Sequence, residues 1–356
     1  MNLGARVLKT GIAVTLALYI SQLLHFQSPV IAAVAAIFAI QPSIYRSWRH
    51  FREQLQANTL GAILALSAGM IVSNEPFAIG VVCIVVIVIC LKMKMEDTIG
   101  LTLVTVIAVM EASSEWQFAL DRFSQVLIGI ACACLINIIV MPPRPKEQFN
   151  NQIQSVFNRL SLLLRTVISD EMKEQAFKAE KDELEKAVST LTDKYKLFEE
   201  ETKKLHKPKY RYTRQLVVYK QLVHTLRTGL DVLESIDEHY FQSPRTEAID
   251  KLFDEHVEAL MKGHEFVLLK LQDKVKPEST EIEDMQLKMD VFLNDMIKHS
   301  SDEEAGMQRL ALVASSMYRY GFQISRLDRL VGHVEPTQAS KPIPSWWKTW
   351  FKSKDS

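Results

Sequence analysis

Residues 37–51 read IFAIQPSIYRSWRHF. An apolar run ends at Gln41-Pro42, and Arg46, Arg49, His50 and Arg52 follow within a few residues. Proline has no backbone N–H to add to a helical ladder, so a helix stops here. A core strand of a soluble protein has no need of the arginines, whereas a segment leaving a bilayer on its cytoplasmic side does. Tyr45, Trp48 and Phe51 suit headgroup depth as amphipathic anchors, and the arginines suit anionic lipid. The same residues admit a second reading, in which Gln41 lies within the membrane and a broken helix offers free backbone groups to a solute.

Composition supports a division of the chain. Lys+Arg and Asp+Glu each total 42 among 356 residues, and this neutrality predicts no nucleic-acid partner. The balance hides a segregation: charges are rare between Val7 and Met141 and dense from Lys146 onward. Residues 1–145 are expected to form a transmembrane domain, residues 146–334 a cytoplasmic all-helical domain, and residues 335–356 a flexible tail. Residues 1–24 look superficially like a signal peptide, with Arg6 and Lys9 before an apolar stretch. More apolar segments follow at once, which favours a retained first membrane helix. Cys83, Cys90, Cys132 and Cys134 all lie in apolar runs, and neither they nor the scattered histidines have metal-ligand spacing.

The apolar segments number roughly six: residues 7–24, 29–40, 58–73, 77–91, 98–111 and 123–141. Several are shorter than the ~18 residues of an unambiguous membrane span. Loop charge supports the count. With the N-terminus inside, cytoplasmic segments receive Arg6 and Lys9, then the basic loop Arg46, Arg49 and Arg52, then Lys92 and Lys94, then Arg144 and Lys146. The opposite side receives His25 and Gln27, then Asn74-Glu75-Pro76, then Glu111, Glu115, Asp121 and Arg122. This alternation is the positive-inside pattern. Small residues recur at Ala32, Ala36 and Ala39, at Gly61, Ala65 and Gly69, and at Gly129 and Ala133, a spacing that lets helix backbones approach closely. Gln22, Gln41, Asn58, Thr102, Thr105, Gln125 and Asn137 are polar groups expected to face the interior of the bundle.

Beyond Met141-Pro-Pro-Arg-Pro the spacing of apolar residues changes to threes and fours. Ile153, Val156, Leu160, Leu163 and Val167 begin a series that recurs through Leu184 to Leu205, Leu216 to Leu233, Phe253 to Leu271, Ile282 to Met296 and Leu310 to Val331. Helices packed along a seam carry this spacing. Lys207-Pro208, Ser243-Pro244, Lys276-Pro277 and Ser300-Ser301-Asp302 supply the breaks, with Ser301 or Asp302 as a helix cap. The cluster Lys203, Lys204, Lys207, Lys209, Arg211 and Arg214 reads as a turn surface, or as a contact for anionic lipid or an acidic ligand. In the tail, Trp346 and Trp350, and Trp347 and Phe351, are four apart among Lys348, Lys352 and Lys354, suiting a short membrane-surface anchor. The expected fold class is therefore all-α: a polytopic six-span membrane helix bundle followed by a cytoplasmic helical bundle.

The Gln41-Pro42 break after an Ala-rich helix, the basic loop, and Asn58-Thr59-Leu60-Gly61-Ala62 resemble the fusaric acid resistance and aromatic acid exporter superfamily. The helical second half resembles the single-copy bacterial aromatic acid exporter family, and the resemblance extends to about Val331. Asn58 stands where related motifs commonly have Gly. The resemblance implies export of small amphipathic organic acids driven by an ion gradient.

The residues themselves contain no phosphate-binding Gly-x-x-x-x-Gly-Lys-Ser/Thr loop and no nucleophile or metal constellation, so neither an enzyme nor a cofactor is expected. The leading expectation is a secondary exporter of small aromatic or amphipathic organic acids in the cell membrane, with the N-terminus and the second domain cytoplasmic. Gln41, Pro42 and Asn58 are its candidate solute pathway, and Arg46, Arg49 and Arg52 its basic entrance. Expected partners are membrane lipid, the organic acid and a second copy of the chain, most simply in a dimer. The competing expectation is a membrane-anchored scaffold or sensor whose helical bundle binds a partner.

Overall fold

A computed structural model describes residues 3–26, 28–71, 76–111, 116–140, 145–168, 172–205, 210–243, 246–276, 279–300 and 307–333. Helices dominate, and no strand occurs among the described residues. The chain divides into two compact units: Met1–Pro145 with Lys203–Leu205, and Lys146–Thr202 with His206–Ser356.

The first unit contains α1 (Leu3–Leu23), α2 (Val30–Ala39), α3 (Ile44–Ile71), α4 (Pro76–Lys92), a 3-10 turn (Glu96–Thr98), α5 (Ile99–Glu111) and α6 (Trp116–Ile139). Among the described residues, only α6 is both long and apolar enough to cross a bilayer unaided; Val7–Leu23, Val30–Ala39 and Pro76–Lys92 are shorter apolar helices. The expected six full spans are not displayed. A 10-residue helix such as α2 rises only about 15 Å against a hydrocarbon core of roughly 30 Å.

The largest correction concerns the basic loop, because Arg46, Arg49 and Arg52 lie on the first turns of α3. Ser43 starts that helix, accepting from the Arg46 N–H at 3.1 Å. No Gly or Pro follows until Gly61, and Arg, Glu, Gln and Leu are strong helix formers. Arg49 and Glu53 add an i,i+4 pair at 2.7 Å. Similarly, Asp121 and Arg122 belong to α6, which begins at Trp116 rather than near Phe123.

Small residues set the packing of this unit. Ala13, Ala17, Ala32, Ala36, Val126 and Ala133 form one apolar cluster of α1, α2 and α6. Ala57, Ala65, Val86, Cys90, Val106 and Val109 form another, of α3, α4 and α5. At Gly129 an added Cβ would lie 2.2 Å from the Ala32 carbonyl oxygen, so this crossing admits only glycine without movement. Gly61 plays the equivalent part against Thr102 and Val106.

The second unit holds α7 (Pro145–Ile168), α8 (Glu174–Leu205), α9 (Tyr210–Ser235) with a π-helical continuation (Ile236–Tyr240), α10 (Glu247–Leu271), α11 (Glu281–Ser300) and α12 (Met307–Gly332). Its core is the series of threes and fours, from Ile153, Val156 and Leu160 to Met317, Tyr320, Ile324 and Leu327. Aromatic rings thicken it: Phe253 meets Phe292 edge-on at 5.0 Å, and His256 stacks on Phe292 at 4.0 Å. His264 Nδ1 lies 2.6 Å from the Tyr320 hydroxyl in a fully buried pair. Burial lowers His256 to about 4 and His264 to about 3, because nothing in this apolar interior steadies an imidazolium. The Lys207-Pro208 and Ser301/Asp302 breaks and the tail's Trp346, Trp347, Trp350, Phe351, Lys348, Lys352 and Lys354 lie outside the described residues.

Candidate functional site

The site begins where α2 stops. Ile40 is extended (φ −74°, ψ 111°), and two residues later Pro42 offers no N–H. Asn137 of α6, fully buried, repairs the break. Its Nδ2 donates to the Gln41 carbonyl at 3.0 Å and to Ser47 Oγ at 2.7 Å, while its Oδ1 accepts from Lys9 Nζ at 2.9 Å. One amide thus joins α1, α6, the break and α3, and satisfies a carbonyl that an interrupted helix leaves over.

Beside the break lies a cavity of about 220 Å³ lined by Gln41, Arg46, Arg49, His50, Glu53 and Asp97. A polar column continues from it along one face of α3, since His50, Gln54 and Asn58 are spaced by four residues. All three are buried, as are Thr98, Thr102 and Thr105 of the 3-10 turn and α5. Gln54 Nε2 donates to Thr102 Oγ1 at 3.2 Å, and Thr105 Oγ1 donates to Asn58 Oδ1 at 3.4 Å. Thr102 and Thr105 hydroxyls also bond the carbonyls of Thr98 and Leu101.

The column is incompletely paired. Both ring nitrogens of His50, Gln54 Oε1 and Asn58 Nδ2 are buried without a hydrogen-bond partner. Each such atom costs about 1–3 kcal/mol unless water or a ligand meets it. Past Asn58 the interface becomes apolar, at Gly61, Ala65 and Val106. The arrangement offers a charged vestibule leading into a narrow row of amide, imidazole and hydroxyl groups. No group of His, Cys, Asp and Glu among the described residues is arranged to hold a metal ion.

Comparison with known proteins decides the family. Residues 1–140 match aromatic acid exporter family member 1, and residues 98–320 match the fusaric acid resistance protein family. The UPF0421 protein YgaE of Bacillus subtilis is 32% identical over 340 residues, 93% of this chain and 95% of that protein. The chain belongs to the fusaric acid resistance protein family. Among further relatives, a UPF0421 protein of Halalkalibacterium halodurans is 24% identical over 64% of this chain and 67% of its own. One from Oceanobacillus iheyensis is 28% identical over 44% of this chain and 46% of its own. Both family descriptions are those of membrane transport rather than of an enzyme.

Within this exporter-type chain, the residues singled out by sequence separate into three places. Gln41, Arg46 and Arg49 line the cavity, Asn58 ends the polar column, and Pro42 sits at the break. Arg52 is exposed and does not line the cavity. Sequence reasoning missed His50, Glu53, Gln54 and Asp97. The signal was present in the four-residue spacing from His50 to Asn58, and became visible only once residues 44–57 were known to be helical.

Proposed function

We propose that the chain is a secondary exporter of small aromatic or amphipathic organic acids across the cell membrane. The observation that carries this reading is the buried polar column of α3, which holds four unpaired side-chain atoms and begins at His50, a residue lining a charged cavity. Polar groups are expensive inside a membrane and are kept where water or a solute passes. The interrupted α2–α3 pair supports it too, since a helix of 10 residues ending partway through a bilayer is a feature of transport sites.

In this reading six helices surround the pathway, both termini and the Lys92–Asp97 side face the cytoplasm, and the second unit is a cytoplasmic bundle. Arg46 and Arg49 gather anions at the entrance, with Arg52 contributing from the surface. Gln41, the backbone freed at Pro42, and Asn58 conduct them inward. The outer face of α1, where Val7, Gly11, Thr15 and Tyr19 border an open apolar groove of about 570 Å³, is proposed to meet lipid or a second copy in a homodimer. A specific observation favours the alternative of a membrane-anchored scaffold or sensor: Leu287 and Val291, four apart on α11, are 66% and 61% exposed and could seat a partner helix. The test between them is transport. Inside-out vesicles from cells making the chain are expected to accumulate radiolabelled benzoate faster than vesicles lacking it. Equal rates for benzoate and a panel of other aromatic carboxylates would refute the exporter.

A further inference from the structure

His50 has a role that its surroundings define, given the transport reading above. Its side chain is 5% exposed, it lines the cavity, and neither ring nitrogen has a partner. The groups facing the same space are Arg46, Arg49 and Glu53 of α3, Asp97 of the 3-10 turn, and the Gln41 amide at the break. Arg49 Nε and Glu53 Oε1 are 2.7 Å apart, so those charges largely compensate each other. The nearby cation of α1, Lys9, is engaged by Asn137. With a neutral imidazole, two guanidinium groups balance two carboxylates and the lining carries no net charge.

A balanced cavity gives an entering carboxylate little to replace its lost hydration. One proton on His50 changes this. An imidazolium presents two N–H donors, and both of its nitrogens here are unengaged. The lining then becomes net positive, and a charge-assisted hydrogen bond to a carboxylate becomes available. Conversely, a bound carboxylate beside the ring favours its protonated form. Proton and anion therefore bind together.

We propose that His50 is the carboxylate-binding residue of this cavity and takes up one proton for each organic anion bound. The proton comes from solution to the free ring nitrogen as the anion binds and returns to solution as the anion leaves the cavity. A weak acid that enters a cell uncharged releases its proton inside, so a site needing both species fills best when the acid has accumulated.

The test is calorimetric titration of benzoate into the full chain in nanodiscs of zwitterionic lipid, in two buffers of different ionisation enthalpy. The expected result is uptake of close to one proton per benzoate, with affinity rising up to about tenfold per unit fall in pH across the titration of His50. His50→Gln should abolish both the proton uptake and the pH dependence while binding weakly at every pH. Asp97→Asn keeps the imidazole but removes a carboxylate that steadies its charge, and should move the onset of tight binding to lower pH. Binding without proton uptake, an unchanged pH profile in His50→Gln, or no binding by benzoate or other aromatic carboxylates would overturn the proposal. So would a proton taken up with anionic lipid alone and no response to benzoate. Flux in vesicles separates this from the transport reading: proton-linked binding without flux defeats the exporter alone, and flux without proton uptake defeats the role of His50 alone.

Discussion

Acidification from pH 7 to pH 5 should destabilise the α7–α12 unit through two buried histidines. His256 has no partner on either nitrogen and stacks on Phe292, and His264 is fully enclosed, with Nδ1 against the Tyr320 hydroxyl and Nε2 unpartnered. Burial also raises Tyr320, so its phenol stays protonated beside Nδ1 and adds no charge to steady an imidazolium. Both imidazoles are held neutral, at about 4 and about 3 against an ordinary 6.5. The folded state therefore binds fewer protons than the unfolded chain between those values and 6.5. Stability is fully present above pH 6.5 and is lost as pH falls toward the folded-state values. By pH 5 the loss is about 2 kcal/mol for each histidine, about 4 kcal/mol together. Hydrogen exchange of the slowest amides in α10 and α12, corrected for intrinsic rates, measures this directly as opening free energy. His256→Phe should recover about half of the acid-induced loss, since it keeps the stack and removes the titration. Opening free energies that stay level from pH 7 to pH 5, or a His256→Phe protein as acid-sensitive as the parent, would refute the reasoning.

Other consequences concern the first unit. Gly129→Ala drives a Cβ into the Ala32 carbonyl and should cost about 1–3 kcal/mol in thermal stability measured in detergent, whereas Gly80→Ala, with open space around it, should cost nothing. Asn137→Leu leaves the Lys9 ammonium and the Gln41 carbonyl unpaired and should lose about 1–3 kcal/mol for each, read by the same melt. In a cysteine-free background, Arg52→Cys and Glu111→Cys, both at exposed positions, should label from opposite sides of the membrane, and labelling of both from outside intact cells would reject the proposed topology.

The second unit is largely legible in the sequence. Nearly every residue of its three-four series is buried, because an amphipathic helix of 20 or more residues leaves its apolar stripe in one register. The first unit is less so. Apolar segments that are hydrophobic all round carry little periodicity, so hydropathy located them but misjudged where they begin. Residues 44–57 illustrate the cause: their charges read as a loop, yet their helix propensity and the Ser43 cap extend α3 two turns and more beyond its apolar part. That error hid the site, since Gln54 and His50 share a face with Asn58 only on a continuous helix. Asp97 and Asn137 are far from Gln41 in sequence, and only the packing of the 3-10 turn and α6 brings them to the break.

Flux through purified protein tests the central claim most directly. Proteoliposomes holding the full chain should release entrapped benzoate, or another aromatic carboxylate of a panel, under an imposed proton or sodium gradient, while empty liposomes do not. Asn58→Leu and Gln54→Leu, inserted to the same level, should reduce that flux by about tenfold or more through loss of polar contacts along α3. Flux unchanged in both variants would contradict the pathway, and no flux of any carboxylate under either gradient would contradict the exporter.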